Sequence, residues 1–428
     1  MKYCIIVFGC QMNVSDAERV ARVMSLAGYE QIENSRIEEA DAAVVVACSI
    51  RQSAIDRIYG LKRKFNALKD KKPFTTILTG CIMKGDKKKM YLFFDIVFDI
   101  NNLQNLPKLL ANKDGREIRD YLAIHPIYSN TFQAGVPISK GCNQLCHYCV
   151  VPYTRGPETY RDPDEIVAEC RDLVAKGYKE ITLLGQTVNS YNHKKCNFAQ
   201  LMKRIDSLRG DFWLRFISSH PNFFTKEFIG VWKRSDHIAP YLHLAVQSGD
   251  DDVLKKMNRR YTVEKFCDVV KEIREAIPNL AVSTDAIVGY SSETKKQFQK
   301  TVKLFSEMRF DMAYISQYSV RKGTAGEKLY TDDVPKAEKK RRDAALTRVL
   351  EKTALENNKK YKGKVLRVLF EKHFKGHVVG KSDTYKTVKV RTGKGAPDRV
   401  GTFADVKISR ATPWGLYGKI ATYEKKKK

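Results

Sequence analysis

Hydrophobic positions in the first hundred residues form short apolar runs separated by longer amphipathic stretches. Residues 4–8, 43–47 and 75–78 have the continuous apolar character of strands buried on both faces, whereas 15–27 and 52–68 carry a helical period. That alternation predicts a doubly wound α/β domain on a parallel sheet, placed at residues 1–115. A second alternation starts at Val136, with candidate strands at 136–140, 180–184, 213–217, 241–246, 280–288 and 312–318. Helical stretches fall between them, notably 163–176, 263–276 and 293–306. Six βα units predict a full or partial TIM-type barrel, with its chemistry at the C-terminal strand ends; an open sheet is the competing arrangement. A basic helical run at 335–358 would brace this domain, which spans 130–360. Residues 361–428 then change to short alternating runs at 364–370, 387–391 and 405–408 with Gly-bearing turns, the pattern of a small β-barrel.

Charge sharpens this picture. The 428 residues, 43% hydrophobic, can bury more than one core, and Lys+Arg exceed Asp+Glu 77 to 49, for a net charge of +28. The 361–428 segment alone has 18 Lys+Arg against 5 Asp+Glu and ends in Lys425 to Lys428. A polyanion such as nucleic acid is the natural partner; a merely soluble basic protein is the plainer reading. The opening run through Phe8 and Gly9 has no signal-cleavage pattern, and the apolar stretch 90–100 is broken by Asp95 and Asp99. Ten cysteines without a secretory leader argue for metal or redox chemistry in a reducing compartment. The expectation is a cytoplasmic monomer that contacts no membrane.

The strongest chemical signal is Gly141-Cys142-Asn143-Gln144-Leu145-Cys146-His147-Tyr148-Cys149, just after the first strand of the six-unit domain. Three thiolates in one loop can occupy three corners of a 4Fe-4S cube and leave one iron open. Zinc with His147 as fourth ligand is the rival, though the usual second CxxC pair is missing. A second set, Cys10, Cys48 and Cys81, falls at the expected C-terminal ends of the three N-terminal strands, which line one crevice in a doubly wound sheet. Each taken alone reads as a small buried residue; together they can converge. Cys4, Cys170, Cys196 and Cys267 read as core or surface residues.

The CxxxCxxC loop on such a strand resembles the radical S-adenosylmethionine superfamily. Phe8-Gly9-Cys10-Gln11-Met12-Asn13, Ala47-Cys48-Ser49-Ile50-Arg51 and Thr79-Gly80-Cys81 resemble the N-terminal domain of its methylthiotransferases. Cys149-Val150-Val151-Pro152-Tyr153-Thr154-Arg155-Gly156, Leu184-Gly185-Gln186-Thr187-Val188-Asn189-Ser190-Tyr191 and His243-Leu244-Ala245-Val246-Gln247-Ser248-Gly249 resemble the tRNA branch, and the basic C-terminal segment resembles a TRAM domain. The resemblance covers essentially the whole chain. It implies a central radical SAM (βα)6 partial barrel and two 4Fe-4S clusters, with Cys142, Cys146 and Cys149 on the radical-generating one and Cys10, Cys48 and Cys81 on an auxiliary one. It also implies two S-adenosylmethionine molecules per turnover, one as methyl donor and one as source of a 5′-deoxyadenosyl radical. An external flavodoxin- or ferredoxin-like electron donor and a sulfur source are implied as partners.

Within that family the GCQMN opening and CVVPYTRG run resemble the enzymes that insert a methylthio group at C2 of N(6)-isopentenyladenosine at position 37 of the tRNA anticodon loop. Relatives acting on threonylcarbamoyladenosine or on a ribosomal-protein aspartate are alternatives. A non-catalytic RNA-binding iron–sulfur redox sensor is an alternative of another class. Gly185, Gln186, Ser218, Gln247 and Asp285 end or line barrel strands and are expected to contact the cofactor, against the plainer reading of strand-end polarity. Ser219, His220 and Ser248 share that ambiguity. Arg155 and Arg161 could pair with phosphate or with the cofactor carboxylate, or lie on the surface. Phe374, Tyr385 and Trp414 could stack on bases, whereas Phe403 suits the small barrel's own core. After Thr284-Asp285-Ala286-Ile287-Val288-Gly289, the family's Phe-Pro-Gly-Glu-Thr is replaced by Tyr290-Ser291-Ser292-Glu293-Thr294. Ser291 or Ser292 is expected to cap the next helix.

Overall fold

The structure is a computed structural model that describes residues 1–48, 52–110, 121–393, 395 and 397–421. Ser49, Ile50 and Arg51, the expected boundary at 115 and the Lys425–Lys428 tail lie outside the described residues. At the N-terminus, strands β1 (Lys2–Val7), β2 (Glu30–Gln31), β3 (Ala42–Cys48), β4 (Thr75–Cys81) and β5 (Ile96–Val97) form one parallel sheet in the order β2-β1-β3-β4-β5. The alternation of side chains explains the two-sided burial. Tyr3, Ile5, Ala42 and Val44 pack on helix α1 (Gln11–Leu26), while Cys4, Ala43 and Val45 pack with Ile55, Ile58 and Phe65 of helix α2 (Gln52–Lys69). This is a doubly wound sheet whose order reverses between β1 and β3, the point where such folds open a ligand crevice.

The second alternation is a partial barrel. Three parallel strands, Gln133–Pro137, Glu180–Leu184 and Trp213–Phe216, pair in sequence, as do Tyr241–His243, Ala281–Val288 and Met312–Gln317. Bridges between Leu214 and Ile238 and between Ser219 and Leu244 join the two halves. Among the described residues no strand pairs with the free edge of Met312–Gln317, so the six-stranded barrel stays open there. The helix expected at 293–306 begins at Lys295, and its cap is Thr294 rather than Ser291 or Ser292. Glu293 is unavailable for the helix because its buried carboxylate accepts from Gly289 N–H and pairs with Arg342 of the long helix Lys336–Lys359 at 2.6 Å.

The C-terminal segment is a closed five-stranded barrel with a core of Val368, Phe370, Val388, Val406 and Leu416. Two of its strands, His377–Ser382 and Gly415–Ile420, were not legible in the sequence, where Gly380 and Gly418 break the apolar alternation. Both glycines sit where a Cβ would come within 2.1 and 2.5 Å of neighbouring backbone oxygens. Phe403 does not belong to this barrel's interior. It packs edge-on against Trp213 at 4.7 Å between ring centroids, and Tyr385 stacks on Tyr241 at the same 4.7 Å, so both aromatics seal the seam to the larger barrel. Phe374 and Trp414 are the pair left exposed, at 50% and 46%.

Arg215 is the pin of that seam. Its Nε donates to Glu180 at 2.5 Å, while Nη1 and Nη2 donate to the carbonyls of Asp383 and Ser382 at 2.7 and 2.9 Å. Removing one member of a buried pair strands the other charge, which typically costs about 3–5 kcal/mol. Arg215→Ala is therefore expected to lower the unfolding free energy by that order, moving the denaturant midpoint down, and to make the C-terminal barrel the first fragment released by limited proteolysis. An unchanged midpoint and cleavage pattern would refute the role of this pin.

Candidate active site

A cavity of about 730 Å³ opens at the C-terminal ends of the barrel strands, with Cys142, Cys146 and Cys149 on one wall. Gln186, Ser218, Gln247 and Asp285 belong to the same cavity wall. The cysteine loop can turn so sharply because Gly141, at φ +77°, leaves room where a Cβ would sit 2.0 Å from the Pro157 carbonyl oxygen. It is tied down by His147 N–H to the Met257 carbonyl (3.0 Å) and by Asn258 Nδ2 to the Leu145 carbonyl (2.9 Å). Ser218 and Gln247 both adopt left-handed backbone, with φ +66° and +68°. Strain of this kind in non-glycine residues costs of order 1–3 kcal/mol and gathers at functional sites.

Other rim residues divide. Asp285 lies 3.3 Å from His243 Nε2 on the neighbouring strand. Gly185 does not reach the cavity wall; a Cβ there would meet Ser139 Oγ at 2.7 Å, so its smallness serves strand packing. Ser219 and Ser248 are buried, and His220 is buried with its Nδ1 accepting from Asn222 N–H. Burial pushes the His220 pKa down to about 3, which keeps the ring neutral. Arg161 is not a surface residue either: it pairs with Glu169 at 2.5 Å and donates to the Pro137 carbonyl.

His147 is absent from the cavity wall that the three cysteines share, and its Nδ1 is engaged with the Lys256 carbonyl oxygen at 2.8 Å. Among the described residues no three His, Cys, Asp or Glu side chains are gathered tightly enough to hold one bare ion. Thiolates on three separate irons of a cube are spaced more widely than ligands of one metal, so this donor set suits a cluster better than zinc. Arg259, which the sequence reading missed, donates from Nη1 to Cys146 Sγ at 3.5 Å and from Nη2 to the Ala245 carbonyl at 3.1 Å. Its neighbours in sequence carry no motif that would single it out.

On the N-terminal sheet, Cys48 and Cys81 are register partners at the ends of β3 and β4. Cys10 is displaced from the expected strand end: β1 stops at Val7, and Cys10 caps α1 as an exposed residue. Asn13 explains the local sequence. Its Oδ1 accepts from Cys10 N–H at 3.3 Å, its Nδ2 donates to the Ala47 carbonyl at 3.0 Å, and a Cβ on Gly9 would collide with it at 2.2 Å. Gly80, at φ +109°, likewise lets β4 pass the Ala47 carbonyl, 2.3 Å from where its Cβ would be. Cys10 and Cys48 are both close enough to act electrostatically on the Cys81 thiol. Arg321, on the wall of the large cavity, acts in the same way toward Cys48.

Comparison with known proteins bears on this geometry. The pattern described as the Radical SAM superfamily matches residues 136–305, that of uncharacterized protein family UPF0004 matches 2–98, and that of the TRAM domain matches 359–421. The chain is 39% identical to the tRNA-2-methylthio-N(6)-dimethylallyladenosine synthase of Clostridium botulinum (strain Langeland), over 97% of this chain and 96% of that protein. It belongs to that family of methylthiotransferases. The synthase of the same name from Thermoanaerobacter sp. (strain X514) is 36% identical over 98% of this chain and 92% of its own. Among solved structures, the radical S-adenosylmethionine methyltransferase TsrM from Kitasatospora setae superposes with a TM-score of 0.55 at 13% identity, covering 74% of each chain. The cobalamin-dependent radical enzyme OxsB gives 0.54 at 12% identity over 79% of this chain and 56% of that one. These two show the fold. As a methylthiotransferase of this family the protein is a radical SAM enzyme, whose cofactors are S-adenosylmethionine and 4Fe-4S clusters. Among the described residues no helix is long and apolar enough to cross a membrane.

Burial raises the pKa of Cys81 and of Cys149 to about 12 and also raises that of Cys142. Such thiols stay protonated at neutral pH until a metal displaces the proton. In cluster-free protein at pH 7.5, iodoacetamide is expected to label exposed Cys10 well before Cys81 or Cys149, as read by peptide mass spectrometry. Equal labelling rates would show that these sites are open.

Proposed function

We propose that this enzyme inserts a methylthio group at C2 of N(6)-isopentenyladenosine at position 37 of tRNA, in a cytoplasmic monomer. The observation that carries the reading is the shared cavity: the three cysteines of one loop face Gln186, Ser218, Gln247 and Asp285 across a space large enough for a cluster and a nucleoside-sized ligand. Cys142, Cys146 and Cys149 hold the radical-generating cluster, and Cys10, Cys48 and Cys81 hold the auxiliary cluster that carries the sulfur to be inserted. When bound, the first cluster supplies the electron that cleaves S-adenosylmethionine and so opens a route to C–H activation.

The chain's own residues then bind, orient and shield. Gln186, Asp285 and the left-handed residues Ser218 and Gln247 would offer polar groups to the cofactor from the cavity wall. Arg259 holds the Cys146 sulfur with a charged donor. The barrel's open edge, Met312–Gln317, runs from the C-terminal domain to the cavity, with Met312 38% and Tyr314 43% exposed along that path. Anionic RNA held by the basic C-terminal barrel, with Phe374 and Trp414 available to bases, can reach the cavity along that edge. The units involved are 1–115, 130–360 and 361–428. An external flavodoxin- or ferredoxin-like donor supplies electrons, and a separate sulfur source restores the auxiliary cluster.

The test is anaerobic turnover with tRNA bearing isopentenyladenosine. The wild type is expected to form 5′-deoxyadenosine and the methylthio nucleoside together, and Cys142→Ala to form neither while binding the tRNA as before. Formation of 5′-deoxyadenosine by Cys142→Ala at the original rate would overturn the assignment.

A further inference from the structure

Arg155, in the short helix Val151–Arg155 that follows the cysteine loop, leaves its own domain. Its Nε donates to the Sγ of Cys81, at the end of β4, at 2.8 Å. Its other face grips Asp16 of α1, with Nη2 to Oδ2 at 2.5 Å and Nη1 to Oδ1 at 3.3 Å. Asp16 also accepts the hydroxyl proton of Tyr121. The Arg155 and Asp16 side chains are 1% and 0% exposed.

A buried ion pair is by itself weak evidence for stability, because apolar residues of similar volume often do as well. What apolar residues cannot do is present an N–H to sulfur. A guanidinium can, because its fork fixes it on a carboxylate while Nε remains free to donate sideways; a lysine ammonium cannot make all three contacts in this geometry. Asp16 is then the anchor that keeps the donor aimed at Cys81. Hydrogen bonds to cluster sulfurs and nearby positive charge both favour the reduced, more negative state and so raise a cluster's reduction potential.

We propose that Arg155, aimed by Asp16, is a positioning residue that hydrogen-bonds the Cys81 sulfur and tunes the auxiliary cluster from within the radical SAM domain. This rests on the assignment of Cys10, Cys48 and Cys81 to that cluster. It ties the two cysteine sets through one segment, since Arg155 lies six residues after Cys149.

The experiment uses the full chain carrying Cys142→Ala, Cys146→Ala and Cys149→Ala, which leaves one cysteine set, reconstituted with iron and sulfide. Bound iron and the midpoint potential of the cluster are measured with and without Arg155→Gln and Arg155→Lys. The expected result is about one cluster per chain in the parent, a midpoint shifted to lower potential in Arg155→Gln, and a smaller shift in the same direction in Arg155→Lys. If Arg155→Gln does not fold, Arg155→Lys decides, since it keeps the positive charge and removes the Nε–H donor aimed at Cys81. Bound cluster with an unchanged potential in these variants overturns the role of Arg155 alone. A parent that binds no iron overturns the cysteine assignment, and the inference with it.

Discussion

A buried cation makes the two halves of the catalytic machinery one structure. The N-terminal sheet and the open barrel each bring three cysteines, and each set belongs to its own fold, with its own core on both sides of a sheet or between the barrel strands and the helices around them. The proposed transfer of sulfur from one set to a carbon activated at the other would require a fixed separation. Arg155 supplies a fixed point: it grows from the barrel's cysteine loop and ends between Asp16 and Cys81 of the sheet. A guanidinium this deeply buried has few alternative partners, so a displacement of either domain would strand a charge in a dry interior.

The second constraint is the unclosed barrel. Six strands leave the edge of Met312–Gln317 unpaired among the described residues, and the same strand touches the C-terminal barrel at one end and the cavity at the other. The seam below it is sealed by Arg215, Tyr385 and Phe403, and by the pair of Lys386 with Asp311 at 2.6 Å. Those residues anchor the basic domain, while Phe374 and Trp414 keep exposed rings that a partner can reach.

Much of this was legible in the sequence because the strongest patterns obey local rules. Continuous apolar runs gave β1, β3 and β4, and the six barrel strands fell close to their observed positions, since buried parallel strands need no alternation. The cysteine loop was legible from its spacing alone. What failed depends on partners distant in sequence. Nothing near Arg155 or Arg161 announces burial; each is buried because a carboxylate far along the chain, or two turns on in the helix that follows, meets it. Phe403 and Tyr385 looked like barrel core or base platforms, and only the docking of two domains makes them seam residues. Thr294 displaced the serines as a cap because Glu293 was already committed to Arg342.

The most direct measurement is a competition. Cluster-loaded enzyme would be given equal amounts of tRNA bearing isopentenyladenosine and tRNA bearing threonylcarbamoyladenosine, with S-adenosylmethionine and reductant, and the digested nucleosides would be weighed by mass spectrometry. A methylthio mass gain confined to the isopentenyl nucleoside is the predicted result. A gain confined to the threonylcarbamoyl nucleoside, or on neither with both clusters verified, would contradict it.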